Sequence, residues 1–152
     1  LYLVSFTNCS YPNAGVAVPV LIGNQTVEAG PCYWSFGPTT GQRLAFLYHY
    51  SVFGTDYSIV APTPLELNAW THLAMTKASD GIRLFVNGVA SPVSPLIHTY
   101  SSAISSPLVV GAGYGKYVNG YLQDLRITKG VARYLQDFTP TDKPNPTCGA
   151  SF

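Results

Sequence analysis

Charge is scarce in this chain. Asp, Glu, Lys and Arg make up 10% of its 152 residues, against about a quarter of an ordinary soluble domain. The eight Lys and Arg are scattered, and the net charge is +1. Without a basic stripe to neutralise phosphates, a nucleic-acid partner is not expected. Long apolar runs are missing too. Val16 to Ile22 is the longest notable one, seven residues with Pro19 inside it, where a bilayer-spanning helix needs roughly 20. Membrane insertion is therefore not expected. Helical periodicity is absent at any useful length, and only Gly130 to Gln136 has room for a single turn.

Covalent and metal chemistry find equally little to work with. The seven acids are Glu28, Asp56, Glu66, Asp80, Asp124, Asp137 and Asp142, and no two lie two or four positions apart. No Gly-x-Ser-x-Gly elbow presents a serine, and His49, His72 and His98 have no evident partners. His72 reads as a packed strand residue rather than a base. No closely spaced pair of His, Cys or acid ligands offers half of a zinc site. Cysteine is limited to Cys9, Cys32 and Cys148, so at most one internal disulfide can form. Cys9 with Cys32 is the favoured pairing, tying the amino-terminal segment to a strand, and three reduced thiols is the other reading.

What the chain has in quantity is Tyr (11), Gly (14) and Pro (12), within a hydrophobic content of 47%. Short apolar runs broken by turn residues fit an all-β sandwich rather than a helical enzyme. Strands are expected at Leu1 to Phe6, Val18 to Ile22, Cys32 to Phe36, Arg43 to Tyr50 and Tyr57 to Ala61. Pro62 and Pro64 are expected to end the last of these, since proline cannot donate to a ladder. Short strands at Val89, Leu108 to Gly111 and Tyr121 to Thr128 complete the set, with His98 to Pro107 and Gly113 to Gly120 as loops. Residues 1–138 form one domain on this reading, and the Pro-rich stretch 139–152 is an extended tail or linker.

The most legible region starts at Trp70. Trp70, His72, Ala74 and Thr76 alternate with Thr71, Leu73, Met75 and Lys77. After Ser79-Asp80-Gly81, Ile82, Leu84 and Val86 alternate with Arg83 and Phe85. This period of two belongs to strands. Asp80-Gly81 and Asn87-Gly88 suit tight hairpin turns, whose backbones need positive φ.

The same residues carry a resemblance. Trp-Thr-His-Leu-Ala (70–74), Leu-Phe-Val-Asn-Gly (84–88) and Gly-Tyr-Leu-Gln-Asp-Leu-Arg-Ile (120–127) resemble the laminin G-like, concanavalin A-like lectin/glucanase superfamily. The continuation Thr-Lys-Gly-Val-Ala-Arg-Tyr, then Phe138-Thr139-Pro140, is similar to the variant common in phage and other viral structural proteins. The resemblance implies a jelly-roll β-sandwich of two antiparallel sheets. It also implies a glucanase reading, which needs two carboxyl groups about 5 Å apart, supplied there by Glu-x-Asp-x-x-Glu on one strand. That motif is absent, so no enzyme activity is expected. Calcium is the family's usual ion. Asp56 and Asn119 are the candidate ligands, but the expectation is that the domain needs no cofactor. Asp124 matches the family's Asp before the Leu-Arg-Ile strand and reads as structural.

Recognition through aromatics remains. Sugar C–H faces stack on Tyr and Trp rings, while amides and acids pair with hydroxyls. Tyr48, Tyr50 and Tyr57 cluster in sequence, and Tyr114, Tyr117 and Asn119 occupy the Gly-rich loop. Core or inter-subunit packing is the competing reading of Tyr48 and Tyr50. The expected function is a binding or adhesion module on a virion or other extracellular assembly, with a cell-surface glycan as ligand. A structural component that binds neighbouring proteins, as a capsid decoration, tail or fibre protein, is the alternative. Either way the chain is expected to join an oligomer or larger assembly.

Overall fold

The computed structural model describes residues 3–6, 22–23, 32–38, 41–50, 55–95, 108–113 and 116–141. Among the described residues there is no helix, and every strand pairing is antiparallel. The strands are β1 (Leu3–Phe6), β2 (Ile22–Gly23), β3 (Cys32–Pro38), β4 (Arg43–Tyr50), β5 (Thr55–Pro64) and β6 (Trp70–Ala78). They continue with β7 (Gly81–Val86), β8 (Val89–Ala90), β9 (Val109–Val110), β10 (Ala112–Gly113), β11 (Lys116–Tyr117) and β12 (Gly120–Gln123). One five-stranded sheet has the order β12-β1-β6-β7-β8 and the other β5-β4-β3-β2-β9, with β10 and β11 as a separate hairpin. The fold is thus the all-β sandwich of two antiparallel sheets that the resemblance implied.

The core lies between the sheets. Phe36, Leu44, Phe46 and Ala61 from β3, β4 and β5 meet Leu73, Ile82, Leu84 and Val86 from β6 and β7, with Leu65 closing one end. Apolar side chains at every second strand position make this inevitable once two sheets stack, because each face needs a cover.

Strand β7 departs from that pattern. All six of its residues are buried, as are His72, Ala74 and Thr76 on β6. The cover for this outer face comes from the carboxy-terminal segment. Tyr134 and Phe138 stack on one another at 3.7 Å, and Phe138 meets His72 at 5.3 Å and Phe85 at 5.4 Å between ring centroids. Thr76 Oγ1 donates to the Tyr134 carbonyl at 2.8 Å, the Phe138 N–H to the Gly88 carbonyl at 3.0 Å, and the Ala90 N–H to Asp137 Oδ1 at 2.9 Å. Residues 134–140 therefore form a strap across β6 and β7. Gly88 makes room for it, because a Cβ there would run into the Phe138 carbonyl and the Pro140 ring.

Both hairpins fall where expected. Val86 pairs with Val89 across Asn87-Gly88, whose φ values of 50° and 82° are the left-handed pair that a two-residue turn requires. Ala78 pairs with Gly81 across Ser79-Asp80. Asp80 and Arg83 brace that turn through two hydrogen bonds of 2.6 and 3.0 Å, and the bond from Arg83 holds the Asp80 carboxyl below its usual range.

Several expected boundaries differ. Pro62 lies inside β5 and Pro64 is its last residue, so the strand does not stop at Ala61; β5 is a sheet edge, where a missing N–H costs no ladder bond. The stretch Gly113 to Gly120, expected as a loop, contains β11. Strand β12 stops at Gln123 rather than Thr128, because Asp124 adopts a left-handed φ of 55° that turns the chain out of the ladder. That conformation gives Asp124 a structural part in the fold.

Candidate functional site

The most exposed aromatic pair sits on the outer face of the β12-β1-β6 edge. Ser5 on β1 pairs with Tyr121 on one side and with Trp70 on the other, so the three positions form one cross-strand row. The Trp70 and Tyr121 rings lean together over that row, with centroids 6.4 Å apart and planes at 41°. Trp70 is 47% exposed and Tyr121 68%. A gap this narrow admits no sugar ring between them. The pair instead presents one tilted aromatic ledge to solvent.

Uncharged amides border the ledge. Gln123, exposed, lies one row further along on the same face as Tyr121, in the row Gln123-Leu3-His72. Asn68, exposed and left-handed at φ 58°, leads the chain into β6 two residues before Trp70. Aromatic faces flanked by amides match a ligand with C–H faces and hydroxyls.

The residues singled out from the sequence fall in three places. Tyr117 is 81% exposed at the end of the β10-β11 hairpin, followed by exposed Asn119. The Val118 N–H donates to the Gly111 carbonyl at 2.8 Å, fixing this hairpin beside β9. Tyr114 lies outside the described residues. On the other sheet, Tyr48 pairs with Tyr57 on one side and Trp34 on the other, and Tyr50 pairs with Thr55 and Cys32. The Trp34-Tyr48-Tyr57 row lies two positions along the strands from the row Phe36-Phe46-Ile59. The opposite parity carries the row Tyr33-His49-Asp56. The register thus brings Tyr48 and Tyr57 together and keeps both far from Tyr117.

Asp56 and Asn119 are not neighbours. Asp56 lies on β5, at one edge of its sheet, and Asn119 follows the hairpin anchored beside β9, at the other edge. Four strand spacings separate those edges, roughly 19 Å. Among the described residues no group of three or more His, Cys, Asp or Glu is placed to hold a metal ion. Of the Cys9–Cys32 pairing, Cys32 is placed in β3 opposite Tyr50, and Cys9 lies outside the described residues.

His72 is the one strongly perturbed group at this end of the sheet. It is 1% exposed, and neither ring nitrogen has a hydrogen-bond partner among the described residues. Burial pushes its pKa down to about 4, so the imidazole is neutral at physiological pH. Its backbone is tied to the hairpin: its N–H donates to Asn87 Oδ1 at 2.9 Å, and its carbonyl accepts the Asn87 N–H at 2.8 Å.

Trp70 and Tyr121 were visible in the sequence only as strand residues. Their juxtaposition depends on Ser5, far from both in the chain, and no local pattern encodes that register.

Two five-stranded sheets with antiparallel pairing throughout the described residues make the chain a β-sandwich domain. The chain matches the model of the Concanavalin A-like lectin/glucanases superfamily over residues 10–133, and it belongs to that superfamily. Members of the superfamily often bind carbohydrate or mediate adhesion. Comparison with curated proteins and with solved structures gave no match.

Proposed function

We propose that this domain is a non-enzymatic recognition module that binds a cell-surface glycan, displayed on a virion or another extracellular assembly. The observation that carries this reading is the exposed Trp70–Tyr121 ledge with its bordering amides. Two large aromatic rings left side by side in water form a patch that a partner would cover. Stacking and amide hydrogen bonds require neither a metal nor a cofactor, so none enters the proposal. The similarity of residues 128–140 to the variant found in viral structural proteins supports the setting.

The test is retention on a glycan array. Trp70→Ala and Tyr121→Ala should each weaken binding by about tenfold, the equivalent of losing ~1.4 kcal/mol of stacking, with the fold unchanged by circular dichroism. Tyr117→Ala reports separately on the hairpin. Unchanged retention in the first two variants removes the ledge from the site.

A second reading, a structural component that binds neighbouring proteins, is favoured by a different observation. Leu122, Leu125, Ile127, Val131 and Leu135 are all exposed along one stretch of chain. An array without hits, together with a stable oligomer in light scattering, would move the assignment to this reading.

A further inference from the structure

The strap and the histidine beneath it form a device that ligand recognition does not explain. A buried ring with two unpartnered nitrogens is a poor choice for packing, because an aliphatic or phenyl side chain would fill the site without stranding polar atoms. His72 nevertheless occupies it, edge-on to Phe138 at an interplanar angle of 79°. The strap above it has no strand pairing of its own. It is held by the packing of the stacked Tyr134 and Phe138 rings on Phe85 and His72 and by hydrogen bonds to Thr76, Gly88 and Ala90. An element fastened by few contacts opens more readily than the sheets beneath it.

We infer that residues 134–140 are an acid-released strap and that protonation of His72 is the trigger. Among the described residues neither ring nitrogen has a hydrogen-bond partner, so a charged imidazole gains by lifting Phe138 and reaching water. Among the described residues none of the charged or titratable groups around it hydrogen-bonds the ring. On β7, Arg83 faces the same side but is engaged by Asp80. On the strap, Tyr134 is stacked on Phe138, and the Asp137 carboxylate is bound to the Ala90 N–H. Strand β1, which pairs with β6 at Leu3 and His72, carries no titratable side chain, and the amino-terminal charge disfavours the imidazolium further. On β6 itself, Lys77 has the opposite parity. Opening uncovers Phe85 and His72 on the face that already carries Trp70, so acid would enlarge the aromatic surface at that end of the sheet. This inference stands apart from glycan binding.

If the imidazole has an ordinary pKa of 6.5 when open and about 4 when closed, the opening equilibrium at pH 5.0 rises about 30-fold over its value at pH 7.5. Hydrogen exchange on the full chain, corrected for intrinsic rate, reads this directly. The Phe138 amide, and the Ala90 amide that Asp137 holds, should exchange about 30-fold faster at pH 5.0, while those of β6 and β7 facing the core stay protected. In His72→Phe the strap should keep its protection at both pH values. Equal strap protection at the two pH values in the unsubstituted chain would overturn the inference. So would simultaneous loss in β6 and β7, or acid release that persists in His72→Phe. Should His72→Phe fail to fold, the His72 ring resonance of the unsubstituted chain decides. Titration in step with strap exchange supports the trigger, and a ring that stays neutral while the strap opens refutes it.

Discussion

Two glycines with nearly the same backbone angle separate the contribution of the strap from that of backbone strain. Gly88 has φ 82° and Gly130 φ 88°, so alanine at either position meets the same left-handed penalty of about 1–2 kcal/mol. Their surroundings differ. A Cβ at Gly130 has nothing within 4 Å, whereas one at Gly88 meets the Phe138 carbonyl and, at 2.9 Å, Pro140 Cδ. Backbone cannot give way there without moving the strap. That movement breaks the Phe138 N–H bond to Gly88, a net loss of about 1 kcal/mol. It also re-exposes part of the Phe138 ring, a further ~1–2 kcal/mol. Gly130→Ala is thus expected to cost about 1–2 kcal/mol and Gly88→Ala about 3–5. Urea unfolding of the two variants against the parent measures both. Equal losses would refute the idea that the strap is packed against the Asn87-Gly88 turn.

Other expectations follow from the same coordinates. Leu84→Ala, at a fully buried position between the sheets, should cost about 2–5 kcal/mol in the same assay. Stability should also fall in acid. With a folded pKa of about 4 against 6.5 unfolded, the unfolded chain binds the proton first. The contribution from neutral His72 is therefore complete above pH 6.5 and is lost as pH falls through 4, a deficit of about 2 kcal/mol at pH 5.0. Denaturant titrations at pH 7.5 and 5.0 check this, and His72→Phe should flatten the difference.

The hairpins from Trp70 to Ala90 were legible because alternation and Asn-Gly or Asp-Gly turns are local signals. The errors had non-local causes. Pro62 and Pro64 look like strand breakers until β5 is known to be an edge. Asp124 looks like a strand residue until its left-handed φ is seen. The burial of Arg83 and Phe85 on the outer face of β7 follows from a cover supplied by Tyr134 and Phe138, about 50 residues away in sequence. Neither period nor propensity announces such a cover. The candidate site was hidden for the same reason. Tyr48, Tyr50 and Tyr57 attract notice because they are close in sequence, yet only Tyr48 and Tyr57 share a cross-strand row. Trp70 and Tyr121 are distant in sequence and become neighbours only through the register of β1.

In the proposed function, the ledge is what would make so charge-poor a domain selective. With few fixed charges to orient a ligand, discrimination falls to ring geometry and to the bordering amides Asn68 and Gln123. Mapping backbone amide shifts on the isotope-labelled chain during titration with an array-selected glycan tests this most directly. The account predicts the largest changes at Ser5, Trp70, Tyr121 and Gln123, with the β10-β11 hairpin and the β3-β4-β5 sheet little affected. Shifts centred on Tyr117 or on the Tyr33-His49-Asp56 row, with Trp70 and Tyr121 unmoved, would contradict it.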